Sequence, residues 1–402
     1  MALTKAHNRM ISGAEVNVVD FGADPTNTTD SSTAIQAAID SITEGTVVFP
    51  AGDYRIDDEI TITKNNITLL GLTTATLIVP STTNTTTGVA INLYDNSGSQ
   101  PVNCHLENIN VEISSNSGGN SAGIRYGGSR GSFKNVSIRI RGDNMTGLVL
   151  QQDDAGTGPY YNTFTQVFSQ GDSNSSTVLT GTTGYKFLSS AISPSRSPNA
   201  NTFTRCRAGG VYNAFSIRGA GNTFEGCTSE SINNYHYYCD HPSVSSGCIA
   251  TLISNPYCEQ YSTSTVLECG TNASGTVLLK PYNTGVSAVF SDSSTLQNNR
   301  LVDVTTLPLQ NSPIIRASAK VTGTTIDSGF NADTVTTSGT GIYRLNFDTT
   351  VGSTNYFVSC IPTGTDVSAR ISVYNANYIQ FYFFNNTGAA TNPSGFNVVV
   401  YK

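Results

Sequence analysis

Apolar residues recur along this chain in a step that fits neither a helix nor a plain strand. At 201–210 the sequence reads NTFTRCRAGG, and NTFEGCTSES follows at 222–231. A third copy, NTFTQVFSQ, lies at 162–170, and a looser one, GSFKNVSIRI, at 131–140. In these copies Phe133, Phe164, Phe203 or Phe224 is followed three positions later by Val136, Val167, Cys206 or Cys227. A helix repeats at about 3.6 residues and a strand at about 2. A three-residue step in a β-rich stretch predicts two short strands meeting at a bend, with both anchors pointing inward. Self-similarity of this kind, with Asn before the strand, marks a repeat architecture. Stacking the units predicts a parallel β-helix, Phe on Phe and Asn on Asn, the amides bonding along the ladder.

Around this centre the pattern extends in both directions. Val16, Val18 and Phe21 predict a first strand. Asp30 or Ser31 can cap a helix whose Ile35, Ala38, Ile39 and Ile42 share one face. Val47 to Pro50 then read as a strand and Ala51 to Tyr54 as a turn. An amphipathic helix laid over the open end of a solenoid covers its unpaired edge. From 57 to about 300 the coils continue, with short strands such as Gly147–Leu150, Tyr185–Phe187 and Phe215–Ile217 preceding the anchors. Anchors at 106, 133, 164, 203 and 224 are spaced by 27, 31, 39 and 21 residues. The shortest step is a bare coil, so the surplus in the others is expected as loops at 151–161, 170–183, 189–200 and 233–247. Solenoid loops tend to gather on one face, often the binding face. Beyond about 300 the alternation changes: Tyr343, Leu345, Phe347, then Ile379, Phe381, Phe383, then Phe396, Val398, Val400, separated by Ser/Thr/Gly turns. That is the spacing of a β-sandwich.

Composition narrows the partners. Of 402 residues only 12% are charged, the net charge is −7, and no Lys/Arg cluster occurs, which argues against nucleic acid. No apolar run approaches the length of a membrane span, and MALTKAHNRMI has no cleavage pattern, so a soluble chain without a standard export signal is expected. The eight cysteines form no CxxC pair and no zinc-like spacing. Cys206 and Cys227 read as stacked core thiols, while a disulfide among Cys239, Cys248 and Cys258 stays open. No metal site and no cofactor are expected.

Candidate chemistry lies on the outward face and in the loops. With Phe203 and Cys206 inward, Arg207 points out, as do Thr228 and Glu230 one coil on. Coils about 4.8 Å apart let Arg207 and Glu230 meet diagonally, as half of a sugar-binding or acid/base groove or as a plain surface ion pair. Asp153 and Asp154 stand beside Tyr160 and Tyr161; Tyr235, His236, Tyr237 and Asp240 share the 233–247 segment. Carboxylates with exposed tyrosines suit saccharides, and glycosidic hydrolysis needs two carboxyl groups about 5–5.5 Å or about 6.5–9.5 Å apart. Glu225, Glu230 and Asp240 are the candidate catalytic carboxylates. Asp153, Asp154, Tyr160, Tyr161, Arg207, Tyr235, His236, Tyr237 and Glu259 are the candidate substrate-binding residues. Rung packing for the tyrosines and an ordinary loop role for His236 are the competing readings.

Two segments carry a resemblance. V-x-D-F-G-A-D at 18–24, the short helix, and V-x-F-P-A-G-x-Y-x-I at 47–56 resemble the N-terminal signature of the pectate-lyase-like β-helix superfamily, in the version found in bacteriophage tailspikes. The pattern from Ser328 to Phe347 resembles the small β-sandwich that ends many phage tail fibres and spikes. The resemblance implies an all-β chain: a right-handed single-stranded parallel β-helix with an N-terminal capping helix and a C-terminal β-sandwich. The expected divisions are 1–16 for virion attachment, 17–56 for the cap, 57–305 for the β-helix and 306–402 for trimerisation or receptor contact. It further implies a homotrimer on the virion tail, joined through its N-terminus to a tail or baseplate protein and adsorbing to bacterial surface polysaccharide. Membrane insertion is not implied. Whether the chain also cleaves that glycan, binds it as a lectin-like adhesin, or serves as a structural appendage stays open. The lyases of this fold use a calcium-holding acidic cluster and a basic residue, and no acidic cluster with calcium-loop spacing occurs here.

Overall fold

The computed structural model describes residues 15–79, 88–114, 121–172, 179–190, 197–240, 248–259, 264–295, 298–302, 315–348, 357–363 and 367–401. The expected attachment segment therefore lies almost wholly outside the described residues. Two compact units emerge, Met1–Thr305 and Thr306–Lys402.

The first unit is a parallel β-helix. One coil shows how the three-residue step works. Thr202–Thr204 and Arg207–Gly209 are two short strands, and Arg205 between them sits in the left-handed region at φ 52°. That bend lets Phe203 and Cys206 both turn inward, where each is fully buried. The same position is left-handed in Asn108, Asn135, Gln166, Gly226, Asn255 and Lys280, so the bend forms a column. Asn and Gly tolerate this backbone readily; the other residue types there are held by the pairing on both sides. The chain then enters the strand Val211–Ile217 of a second sheet before returning to the next coil. Paired short strands of successive coils build a parallel sheet of 19 strands, and the return strands build one of 9.

Register makes the coils stack like on like. Phe133, Phe164, Phe203 and Phe224 are consecutive partners in the first sheet, continued by Ile253, Leu278 and Leu301. Phe164, Phe203 and Phe224 stack nearly parallel at 4.4 and 4.7 Å. Tyr185, Phe215 and Tyr237 form a second ring column from the other sheet at 4.6 and 4.8 Å. The columns meet edge to face, Tyr185 against Phe203 and Tyr237 against Phe224, each at 5.9 Å. Such ring pairs add about 0.5–1.5 kcal/mol each beyond burial. The Asn ladder is also present: Asn162 Nδ2 donates to Asn201 Oδ1 at 2.9 Å and Asn201 Nδ2 to Asn222 Oδ1 at 3.1 Å, all buried. All eight cysteines are free. The Cys206 and Cys227 thiols donate to the Phe164 and Phe203 carbonyls, at 3.3 and 3.5 Å.

The cap shows why its sequence signature is structural. Ser32–Asp40 is helical and buries Ile35, Ala38 and Ile39. Its first turn is held by Asp30, which accepts from the Ser32 N–H at 3.0 Å; Ser31 makes no side-chain cap bond. Lys64 closes the far end on the carbonyls of Ile39, Asp40 and Ile42, as a cation there should. Asp24 gathers the N–H groups of Thr26, Thr28 and Thr29. Gly52 has no room for a side chain, since a Cβ would sit 2.5 Å from the Pro25 Cβ. The expected first strand is shorter than predicted, Val16–Asn17. Asn17 caps a single 3-10 turn over Val18–Phe21 by accepting from Val19 N, and Phe21 is left exposed.

The second unit is a β-sandwich of two four-stranded antiparallel sheets. Tyr343, Leu345, Ile379, Phe381, Phe383, Phe396, Val398 and Val400 fill its core, the alternation having marked each of them.

Candidate functional site

Where the two short strands of each coil meet, the outer surface is creased along the bend column. Thr165, Gln166, Thr204, Arg205, Glu225, Gly226 and Asn255 line a depression of about 280 Å³. Leu72, Thr73, Asn108, Asn110 and Asn135 line another of about 400 Å³ nearer the cap. Asn135 Nδ2 donates to Asn108 Oδ1 at 3.1 Å, so amides stack outside the helix as well as inside.

The strands after the bend form one wall of this crease. Their outward residues run in register as Phe168, Arg207, Thr228, Tyr257 and Tyr282, and beside them Gln170, Gly209, Glu230, Glu259 and Thr284. Arg207 Nη2 meets Glu230 Oε2 at 2.7 Å, the diagonal pair that the sequence predicts. Arg207 folds over Gly209 to reach it: a Cβ at Gly209 would stand 3.7 Å from its Nε. That Nε is buried and has no hydrogen-bond partner. Tyr257 and Tyr282 stack at 5.1 Å, and the Tyr257 hydroxyl donates to Glu259 at 2.6 Å. Tyr282 is 60% exposed. Glu230 and Glu259 are direct partners on adjacent coils. Glu225 faces the crease from the other wall, between Thr204 and Ser254.

Four of the sequence candidates, Arg207, Glu225, Glu230 and Glu259, thus share one face. The others do not join them. Asp153 is fully buried, and its carboxylate accepts from Gln100, the Gly156 N–H and Thr157. Asp154 accepts from Asn96 at 2.9 Å and Ser190 at 2.6 Å, tying three loops together. Both fasten loops, and Asp153 has no exposed surface to offer a sugar. Tyr160 donates to the Gly156 carbonyl at 3.1 Å. Tyr161 is 70% exposed at the far end of the Thr163–Thr165 strand from the crease.

The 233–247 segment is corrected more sharply. Tyr235–Cys239 is a strand of the second sheet, paired with Phe215–Ile217 and Thr265–Cys269; residues 241–247 lie outside the described residues. Tyr237 is a fully buried rung of the ring column. His236 is also fully buried, its Nδ1 2.7 Å from Ser229 Oγ and its Nε2 3.2 Å from Ser264 Oγ. Burial pulls its imidazole down to about 4, so it is a neutral core group. Tyr235 stacks on Tyr238 at 4.8 Å. Asp240 accepts from the Tyr238 hydroxyl and the Asn272 N–H, on the second sheet and away from the crease. A signal for this was present: Gly184-Tyr185-Lys186-Phe187, Ala214-Phe215-Ser216-Ile217 and His236-Tyr237-Tyr238-Cys239 align in three successive coils. Sequence reasoning also passed over Tyr257 and Tyr282, although the Pro-Tyr pairs at 256–257 and 281–282 repeat.

Among the described residues no group of three or more His, Cys, Asp or Glu could hold a metal ion, and no helix is long and apolar enough to cross a membrane.

No match is found among curated protein sequences. Among solved structures the chain is similar to ORF18 of Geobacillus virus E2, with 16% identity, 98% of this chain and 77% of that one covered, and a TM-score of 0.44. It is similar to the phiAB6 tailspike solved with oligosaccharides of Acinetobacter baumannii surface polysaccharide: 13% identity, 98% and 88% covered, TM-score 0.38. A tailspike mutant of E. coli bacteriophage HK620 in complex with a pentasaccharide shows 10% identity, 96% and 93% covered, TM-score 0.42. The family described as rhamnogalacturonase A/epimerase, pectate lyase-like matches residues 15–236, from the cap through the ring columns to the strand carrying His236. That span exceeds half of the chain, and the chain belongs to this pectate-lyase-like family.

Proposed function

We propose that this chain is a bacteriophage tailspike or receptor-binding protein that adsorbs to bacterial surface polysaccharide through the creased face of its first sheet. The observation that carries the reading is the outward ladder. Tyr257 and Tyr282 offer stacked aromatic faces one coil from the Arg207–Glu230 pair, with Glu259 between. Flat rings suit the apolar faces of sugars, and carboxylates suit their hydroxyls. The ligand class is that of the two tailspike complexes, but the reading rests on this chain's own surface and on its tailspike-like cap and tail motifs. In this reading three copies assemble on the virion tail, and the segment 1–16 contacts a tail or baseplate protein.

Glycan cleavage is the second reading, favoured by Glu230 and Glu259 standing on adjacent coils with Glu225 across the crease. Purified protein incubated with surface polysaccharide, followed by size-exclusion chromatography, separates the two. Intact glycan co-eluting with protein is the expected result for a receptor binder. Shortened chains establish a depolymerase, a lyase if they carry the ultraviolet absorbance of unsaturated ends and a hydrolase if they do not. Glycan that neither elutes with protein nor shortens overturns both readings.

A further inference from the structure

One nucleophile and one base meet on the outward face of the first sheet, several coils before the Arg207–Glu230 pair. His105 and Ser132 are register partners on adjacent coils, both half-buried. Ser132 Oγ lies 2.7 Å from His105 Nδ1, and Asn103 Oδ1 lies 3.1 Å from His105 Nε2. The chain of bonds continues: Asn103 Nδ2 donates to Asn66 Oδ1 at 2.9 Å, and Asn66 Nδ2 to Glu44 Oε2 at 3.2 Å. Asn66, Asn103 and Arg130 occupy the same corner of successive coils, each left-handed at φ 58°. Arg130 follows Ser129, the bridge partner of Val102, so it is the neighbour of Asn103 on the coil that carries Ser132. It is exposed and forms no ion pair among the described residues.

The direction of every proton in this chain follows from its carboxylate end. A carboxylate only accepts, so the Asn66 amide turns its nitrogen to Glu44 and its oxygen to Asn103. Asn103 then turns its own oxygen to His105 Nε2, which has to carry the ring proton. His105 Nδ1 is left bare, and the Ser132 hydroxyl donates to it. A hydroxyl aimed at a neutral imidazole, itself oriented by a third group, is the arrangement of an activated nucleophile. Burial pulls the His105 imidazole below its ordinary range, against weaker opposition from Glu107, so the ring is an unprotonated base at neutral pH. Glu107 is itself engaged by Lys134 at 2.8 Å. Asn108 and Asn135, three residues on in the same two coils, line the depression of about 400 Å³, which gives the rest of a substrate a place to lie.

We propose that Ser132 and His105, positioned by Asn103, form a reactive centre that hydrolyses small carboxylic esters, the class to which O-acyl groups on sugars belong. Ser132 Oγ bonds to the acyl carbon while its proton passes to His105 Nδ1. The ester C–O bond breaks and the alcohol leaves with that proton. Water then attacks the acyl-serine with His105 again as base, which releases the carboxylic acid and restores the Ser132 hydroxyl. Arg130 supplies N–H donors to the carbonyl oxygen as it becomes negative. An ester is favoured over an amide because an open surface site gives limited electrostatic help and an alcohol leaves more readily than an amine. The centre takes nothing from the reading above, and it stands whether or not the Tyr257–Tyr282 face binds polysaccharide.

The full chain is assayed with p-nitrophenyl acetate and separately treated with a fluorophosphonate, whose phosphorus bonds to a reactive serine oxygen as fluoride leaves. Nitrophenol release exceeds that of buffer, and peptide mapping places the phosphonate on Ser132. Ser132→Ala and His105→Gln each lower kcat by about a hundredfold or more and melt within a few degrees of wild type. Asn103→Ala lowers kcat with KM unchanged and moves the acid limb of the pH–rate profile, which a merely structural asparagine does not do. Thr202→Ala, two coils on in the same outward row, leaves hydrolysis unchanged. Labelling of the wild type decides the matter even where a variant fails to fold. Hydrolysis no faster than buffer, no phosphonate on Ser132, or a folded Ser132→Ala that hydrolyses at the wild-type rate would each overturn the assignment.

Discussion

Inside the coils Phe164, Phe203 and Phe224 stack ring on ring; four positions further along the same coils, outside, stand Phe168, Arg207 and Thr228, and then Tyr257 and Tyr282. Both ladders share one register and one coil spacing, yet the inner one repeats a residue type and the outer one changes it at almost every step. The inner positions have no freedom. A buried amide such as Asn201 must satisfy its polar atoms, here on the amides above and below it, and the rings of Phe164, Phe203 and Phe224 pack at one shared tilt. The outer positions meet water on one side, so packing does not dictate them, and differences there record what the surface does. The two outer faces then differ again. On the first sheet the half-buried Arg207 is paired with Glu230, whereas on the second sheet the half-buried Arg125, Lys186 and Arg218 form no ion pair among the described residues.

The contrast between inner and outer ladders is sharpest in stability. Phe203→Ala removes the central ring of its column and opens a cavity that neighbours on two coils cannot fill, at a cost of about 3–5 kcal/mol. Thermal denaturation should show a fall in Tm several times larger than that of Thr204→Ala on the same strand; equal shifts would dissolve the distinction. Next comes a pH effect. His236, buried between Ser229 and Ser264, titrates near 4 when folded against 6.5 for a free histidine. Stability on this account is full above pH 6.5 and falls as pH drops toward 4, because the unfolded chain takes up the proton first. The loss is about 3 kcal/mol. Denaturant melts at pH 7 and pH 4.5 should differ less in His236→Asn than in wild type. Asn201→Ala follows, leaving Asn162 and Asn222 without their shared partner for about 1–3 kcal/mol, read from the same melts.

Much of this architecture was legible because the inner ladder repeats. The Phe anchors, the Asn before each strand and the three-residue step predict the bend, the parallel stacking and the buried thiols of Cys206 and Cys227. Arg207 and Glu230 followed from them, since once the inward residues are known the outward ones are fixed. Asp153 and His236 were misplaced for a physical reason. Charged and polar residues between anchors were read as exposed, yet the Asp153 carboxylate fastens a turn through three donors and the His236 ring fills a position that earlier coils fill with Gly184 and Ala214. A polar residue whose hydrogen bonds are all satisfied can replace a small one in the core, and sequence alone does not reveal the partners that satisfy it. Tyr257 and Tyr282 escaped because their anchors, Ile253 and Leu278, are not Phe, so the coils that carry them do not resemble the first ones.

The smallest expected change in stability belongs to the outer ladder, and there the comparison is most exposed to failure. Glu230→Gln breaks the ion pair with Arg207, both partners being about one-third exposed, and should cost no more than about 0–1 kcal/mol. Tyr282→Ala removes a ring that is mostly in solvent and stacked only on Tyr257, with a comparably small effect on Tm. Both should nevertheless reduce co-elution of surface polysaccharide, Tyr282→Ala by removing a stacking platform and Glu230→Gln by freeing Arg207 from its fixed position over Gly209. If the chain is a hydrolase using Glu230, the second variant retains folded protein and loses product formation altogether, while Tyr282→Ala keeps turnover at saturating glycan and raises KM. Variants of this face that melt with the wild type and bind glycan as well as it does would return the outer ladder to a solvated surface with no ligand.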